Sequence, residues 1–134
     1  MAVTDLKHHE TTGQIIGCAM KVHRYFGPGF PEVVYKRALI MELEKIPLEI
    51  GAEIEGEIYY EGRLIGKRRL DLIIKGDILV ELKAVTEIDK NCFAKIINYL
   101  RVFNIETGLV LNFGSKSLQF KRFISSSQRH LINP

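Results

Sequence analysis

Long apolar runs are missing from this 134-residue chain. No stretch approaches the roughly 18 residues that a membrane-spanning helix needs. The opening residues, MAVTDLKHHE, contain no apolar segment of the signal-peptide kind. A cytoplasmic location is therefore expected. Cysteine is scarce: Cys18 and Cys92 are far apart and fit no metal-ligand spacing. Both sit among apolar residues, which reads as reduced, buried thiols. A strong charge of either sign is also absent. The net charge of +3 permits nucleic-acid binding without arguing for it. No repeat, low-complexity stretch or linker divides the chain, so one domain over residues 1–134 is expected, with its core at about 12–124 and flexible tails. The composition is 46% apolar and 26% charged, enough for a sizeable core.

Periodicity places the elements. Ile15, Ile16, Ala19, Met20, His23 and Phe26 recur at helical spacing and predict a helix over Thr12 to Phe26. Gly27-Pro28-Gly29 ends it. A second helix runs from near Pro31 to about Lys45, before Pro47. Alternation over Glu49 to Tyr60 predicts a strand burying Ile50, Ala52, Ile54, Ile58 and Tyr60. Glu61-Gly62 reads as a hairpin turn into a strand over Leu64 to Ile74. Lys75-Gly76-Asp77 turns into a third strand, Ile78 to Ala84. A third helix spans Asp89 to Phe103, with Phe93, Ile96, Ile97 and Leu100 inward and Asp89 as N-cap or first-turn acid. Gly108 to Phe113 is an apolar strand and Leu118 to Ile124 a polar edge strand. The tail from Ser125 carries little pattern and is expected to fray. This order gives an α/β fold, an α+β sandwich with a meander at its centre.

Three charged residues stand out against this background. Glu81 and Lys83 are two apart on a strand, so they share a face, opposite the apolar Ile78, Val80, Leu82 and Ala84. Asp71 interrupts the apolar stretch Leu70 to Ile74 and comes alongside if the strand folds back at Gly76-Asp77. A buried aspartate is costly unless paired or metal-bound. Its ordinary partner would be Arg69 or Lys83. Two carboxylates at one point can hold Mg²⁺. A lysine beside them can position or deprotonate a water, or neutralise a phosphoryl oxygen. The chemistry indicated is metal-assisted phosphodiester hydrolysis. In the basic run Lys67-Arg68-Arg69, alternation sends Lys67 and Arg69 to the face of Asp71, where they could follow a nucleic-acid backbone. His23 reads as a satisfied helix-end histidine, and His8 and His9 as part of a mobile arm. Gly27-x-Gly29 is no dinucleotide loop, because no strand precedes it.

These residues carry a family resemblance. The acid on one strand and the (D/E)-x-K on the next, Asp71 with Glu81-Leu82-Lys83, resemble the signature of the PD-(D/E)XK nuclease-like superfamily. Gly29-Phe30-Pro31-Glu32-Val33-Val34-Tyr35 is similar to the motif that names its GxxExxY protein family. Val22-His23-Arg24, Arg69-Leu70-Asp71, Val80-Glu81-Leu82-Lys83-Ala84 and Asn98-Tyr99-Leu100 extend the likeness over about Gly13 to Ile124. The ordered set is specific; the bare acid and (D/E)-x-K pattern is not.

The resemblance implies a core of helix, three-strand meander, helix and strand, with helices flanking a mixed sheet. It implies a nuclease using Mg²⁺ or Mn²⁺, with Asp71 and Glu81 as metal ligands assisted by Glu32, Lys83 as the catalytic lysine, and DNA or RNA as partner. Glu32 also suits the first turn of a helix for its dipole alone. Tyr35, one turn on, reads as a core aromatic whose hydroxyl could orient Glu32, and Tyr99 as a supporting residue. The family commonly has a glutamine where Lys95 stands in Ala94-Lys95-Ile96-Ile97-Asn98-Tyr99-Leu100. Lys95 could contact a phosphate or pair with Glu81 and displace the metal. A second reading follows: a catalytically inactive domain of this fold that binds nucleic acid or a protein partner. A third is a scaffold whose charges are structural. The polar last strand leaves room for a homodimer.

Overall fold

The computed structural model describes residues 8–125. Residues 1–7 and 126–134, on which the expected flexible tails fall, lie outside the described residues. The elements are α1 (His9–Phe26), α2 (Glu32–Leu43), β1 (Ile50–Tyr60), β2 (Arg63–Ile74), β3 (Ile78–Lys83), α3 (Lys90–Val102), β4 (Thr107–Asn112) and β5 (Gln119–Ile124). The strands form one sheet in sequence order. β3 and β4 are parallel, and every other neighbouring pair is antiparallel. The α3 helix supplies the crossover that a parallel pair requires.

Both faces of the sheet are covered. Ile78, Val80 and Leu82 of β3 pack with Leu109 and Leu111 of β4 against Ile15, Ala19, Tyr35, Leu39 and Leu43 of α1 and α2. Leu79 and Val110 point the other way, onto Ile96 and Leu100 of α3. β3 and β4 are therefore apolar on both sides, as the centre of a two-sided sandwich must be. Asp89 caps α3 by accepting the Cys92 N–H at 3.1 Å.

Three expectations are corrected. β1 does not bury an alternating face: Ile54 is 41% and Tyr60 64% exposed. It is an edge strand that continues with β2 as a ribbon beyond the helices, so alternation there has nothing to pack against. One contact reaches it from α3: the Phe103 ring lies so close to Gly56 that a Cβ would meet it at 2.6 Å. The ribbon closes at Glu61-Gly62, where both residues have positive φ (50° and 79°), the type I′ geometry. Met20 and Ile97, assigned to inner helix faces, are 38% and 45% exposed. His8 is not in a mobile arm. It is buried beside the start of α1, which begins three residues before Thr12, at His9.

Candidate active site

The backbone ladder between β2 and β3 runs from Ile74–Ile78 to Leu72–Val80 and then stops. At the next position side chains replace it. The Asp71 N–H donates to Glu81 Oε2 at 3.1 Å, and the Leu82 N–H donates to Asp71 Oδ2 at 2.9 Å. The two acids thus lie side by side where β2 leaves β3. On the other side of β2, regular pairing with β1 skips one position: Ala52–Leu72 and Ile54–Leu70 are paired, and Glu53, opposite Asp71, has φ +52°. A non-glycine residue in that region costs about 1–3 kcal/mol, and such strain concentrates at functional sites.

Positive charge comes from α2. Lys36 Nζ donates to Asp71 Oδ1 at 3.0 Å and lies 3.5 Å from Glu53 Oε2. Neither Arg69 nor Lys83, the partners expected from sequence, takes that place. Burial works against the Lys36 charge, but the hydrogen bond to Asp71 and the charges of Asp71 and Glu53 outweigh it and raise its pKa. The available signal was spacing: Lys36 is four residues after Glu32, on the same helical face. Sequence reasoning had no way to see that this face meets Asp71. Removal of the ammonium leaves a half-buried carboxylate uncompensated, so Lys36→Ala is expected to destabilise the metal-free protein by about 1–3 kcal/mol. Thermal melting in chelator measures this, and added Mg²⁺ is expected to restore part of it.

Glu32 is the first residue of α2 and faces the same cluster. Its carboxyl pKa is raised, first by desolvation and then by the Asp71 charge; Lys83, Lys36 and Lys95 pull it down. Glu81 is pushed up to about 7, mainly by burial and secondly by Asp71, against the Asp71 N–H, Lys95 and Lys83. The site therefore holds more negative charge than its surroundings solvate well.

Tyr35 does not orient Glu32. Its hydroxyl donates to the Gly27 carbonyl and accepts the Phe30 N–H, so it ties down the loop leading into α2. Lys95 does not pair with Glu81. Its ammonium lies over the Tyr99 ring, 5.5 Å from the centroid. Glu81, Lys83, Cys92, Lys95 and Tyr99 line a narrow cleft between β3 and α3. Burial, the largest influence on it, raises the Cys92 thiol pKa, which leaves it a poor nucleophile. Lys67 and Arg69 run along the ribbon, 3.5 Å from Glu55 and 4.0 Å from Glu53 respectively. Arg69 is thus close to the acid that shares Lys36, while Lys67 lies further out.

Asn112, which the sequence did not single out, is fully buried at the end of β4. Its amide brackets Val85, accepting the N–H at 3.0 Å and donating to the carbonyl at 2.9 Å. This fixes the chain just past Lys83. Gly114 completes the bracket, since a Cβ there would meet the Ala84 and Val85 backbone at 2.4–2.5 Å. His23 is buried and bonds the Ser115 carbonyl at 2.9 Å, a satisfied helix-end histidine. A groove of about 530 Å³ lies outside α1 and α2, away from these carboxylates. Its one acid, Glu42, is already paired with Lys21 and Lys45.

A mixed five-stranded sheet with helices on both faces, and an acid pair where β2 and β3 part, define the class of protein. A family model of the PD-(D/E)XK nuclease superfamily matches residues 9–123, and the chain belongs to that superfamily. The crystal structure of SSO0001 is similar in fold, with a TM-score of 0.56 and 20% identity, covering 75% of this chain and 52% of that one. The chain spans about half the length of that protein. No curated protein matches the sequence.

Proteins of this superfamily generally use divalent metal ions and act on nucleic acid. The donors here fit such an ion. Mg²⁺ prefers oxygen ligands, and Asp71 and Glu81 offer two adjacent carboxylates, the first of which already holds a cation, the Lys36 ammonium. No described helix is long and apolar enough to cross a membrane.

Proposed function

We propose that the chain is a metal-dependent nuclease that hydrolyses phosphodiester bonds, of the GxxExxY kind, working as one domain. The observation that carries this reading is the meeting of Asp71 and Glu81 at the parting of β2 and β3. Asp71 and Glu81 would hold Mg²⁺ or Mn²⁺, with Glu32 assisting. When bound, the ion would polarise the phosphoryl group and favour ionised water at neutral pH.

The chain's own residues do the rest. Lys83 projects from the same strand face as Glu81 and presents an ammonium to the scissile phosphate. There it orients the attacking water and stabilises the negative charge that builds on the phosphoryl oxygens. Lys36 holds Asp71 in place in the metal-free protein, and Glu53 gives the ammonium a second partner within 3.5 Å. Asn112 and Asp71 fix the backbone on both sides of Lys83, so the ammonium acts from a rigid strand end. Lys95 and Arg69 flank this point as phosphate contacts, with Lys67 further along the ribbon.

Labelled single- and double-stranded DNA and RNA, incubated with the protein and Mg²⁺ or Mn²⁺, are expected to yield cleavage products that EDTA abolishes. The second reading, a nuclease-like domain that binds without cutting, is favoured by one observation: Lys95 stands near enough to Glu81 and Glu32 that its charge offsets part of the rise that burial gives both carboxyls. It predicts salt-sensitive, metal-independent binding with no products.

A further inference from the structure

A buried imidazole and two half-buried carboxylates meet at the other end of the sheet. His8 stands just before α1, Asp77 ends the turn between β2 and β3, and Glu106 precedes β4. His8 is 7% exposed. Its Nε2 lies 2.9 Å from Asp77 Oδ2 and 3.2 Å from Glu106 Oε1. Among the described residues this is the trio whose ligand atoms converge, all within 4.8 Å of one another. The acids are held in advance by their backbones: Asp77 Oδ1 accepts the Glu106 N–H at 3.2 Å, and the Asp77 carbonyl accepts the Thr107 N–H at 3.3 Å.

The imidazole is not locked into a donor role. The tautomer of a histidine is set by the hydrogen bond its other nitrogen makes, and Nδ1 of His8 is buried with no partner. A neutral ring has one proton for two carboxylates. A second ring proton would go to Nδ1, which faces neither carboxylate, so the two acids would still share the single Nε2 position. A dication placed on the Nε2 lone pair would be shared by both carboxylates at once, with the single ring proton moved to Nδ1.

We propose that His8, Asp77 and Glu106 bind a first-row transition-metal dication of the Zn²⁺ type, which pins the start of α1 to the turn between β2 and β3. One imidazole nitrogen with two carboxylate oxygens suits Zn²⁺, Co²⁺ or Mn²⁺ better than Mg²⁺, which favours an all-oxygen shell. The site is separate from the nuclease site, since Asp77 and Glu81 are about 13 Å apart along the strand.

The test uses the full chain stripped of metal by chelator, with Zn²⁺ titrated calorimetrically and Co²⁺ followed by its visible absorption. Asp71→Ala/Glu81→Gln, which lacks the nuclease-site ligands, is expected to bind one Zn²⁺ in a step of similar affinity that the wild type also shows, beside any ion at the nuclease site. His8→Gln, which keeps an N–H for Asp77, and Glu106→Gln are expected to bind at least about tenfold more weakly. Equal Zn²⁺ affinity in wild type and His8→Gln, or none in wild type, would make the trio a hydrogen-bonded staple and overturn the proposal. Binding lost in Asp71→Ala/Glu81→Gln but retained in His8→Gln would place the ion at the nuclease site and overturn it too.

Discussion

Alanine at position 83 is expected to lower the rate of metal-dependent cleavage by about 10²–10³-fold, the usual loss when one preorganised donor to a developing oxyanion is removed. Substrate affinity is expected to change far less. In the proposed mechanism Lys83 would contribute one ammonium at the reacting group, whereas binding would draw on charges spread along the ribbon and α3. Lys95→Gln makes the complementary case. It is expected to weaken binding at low salt and leave the single-turnover rate within about tenfold, because a lysine beside the site acts as a point charge on the backbone. Single-turnover cleavage with separate binding isotherms resolves the two effects. Equal losses from both substitutions would mean that Lys83 is only another phosphate contact.

The second large effect concerns Glu81 in the metal-free protein. Its folded pKa is about 7 against an ordinary 4.5. A raised carboxyl pKa means that the fold favours the protonated form. The associated stability is fully present below about pH 4.5 and is lost as pH rises to about 7, a change of about 3 kcal/mol. The groups facing this carboxyl are Asp71 on one side and Lys83 and Lys95 on the other, with burial dominant. Glu81→Gln preserves the acceptor for the Asp71 N–H and removes the ionisation. In chelator at pH 8 it is expected to be more stable than wild type by up to about 3 kcal/mol, with the slope between pH 4.5 and 7 flattened. Mg²⁺ is expected to reverse the order, since it stabilises the ionised wild type by mass action and has one ligand fewer in the variant. Thermal melts of both proteins across pH, with and without Mg²⁺, measure it. An unchanged slope in the variant would assign the pH dependence to other groups.

The parts of this protein legible in its sequence are those governed by local rules. β3 and β4, buried on both faces, read as short apolar runs. Glu81 and Lys83 share a face because the strand period is two, and Lys75-Gly76-Asp77 told where β2 turns back, which brought Asp71 to Glu81. Non-local contacts were not legible. Lys36 pairs with Asp71 across the packing of α2 on the sheet, and no spacing rule names a helix residue's partner on a strand. The alternation in β1 looked like a buried face, yet burial depends on how far the helices reach: Ile50 packs on the core and Phe103 meets Gly56, while Ile54 and Tyr60 stay exposed. His8 looked like part of a loose arm because its partners, Asp77 and Glu106, are 69 and 98 residues away. Asn112 was hidden in an apolar strand, where its work is to bracket a backbone that sequence cannot place.

The most direct measurement is Mn²⁺-dependent cleavage of labelled DNA and RNA by wild type and by Asp71→Ala/Lys83→Ala purified alongside it. The account predicts products from the wild type alone, with the variant folded and still able to bind substrate. Equal cleavage by both proteins would contradict it, because the activity would then arise somewhere other than the parting of β2 and β3.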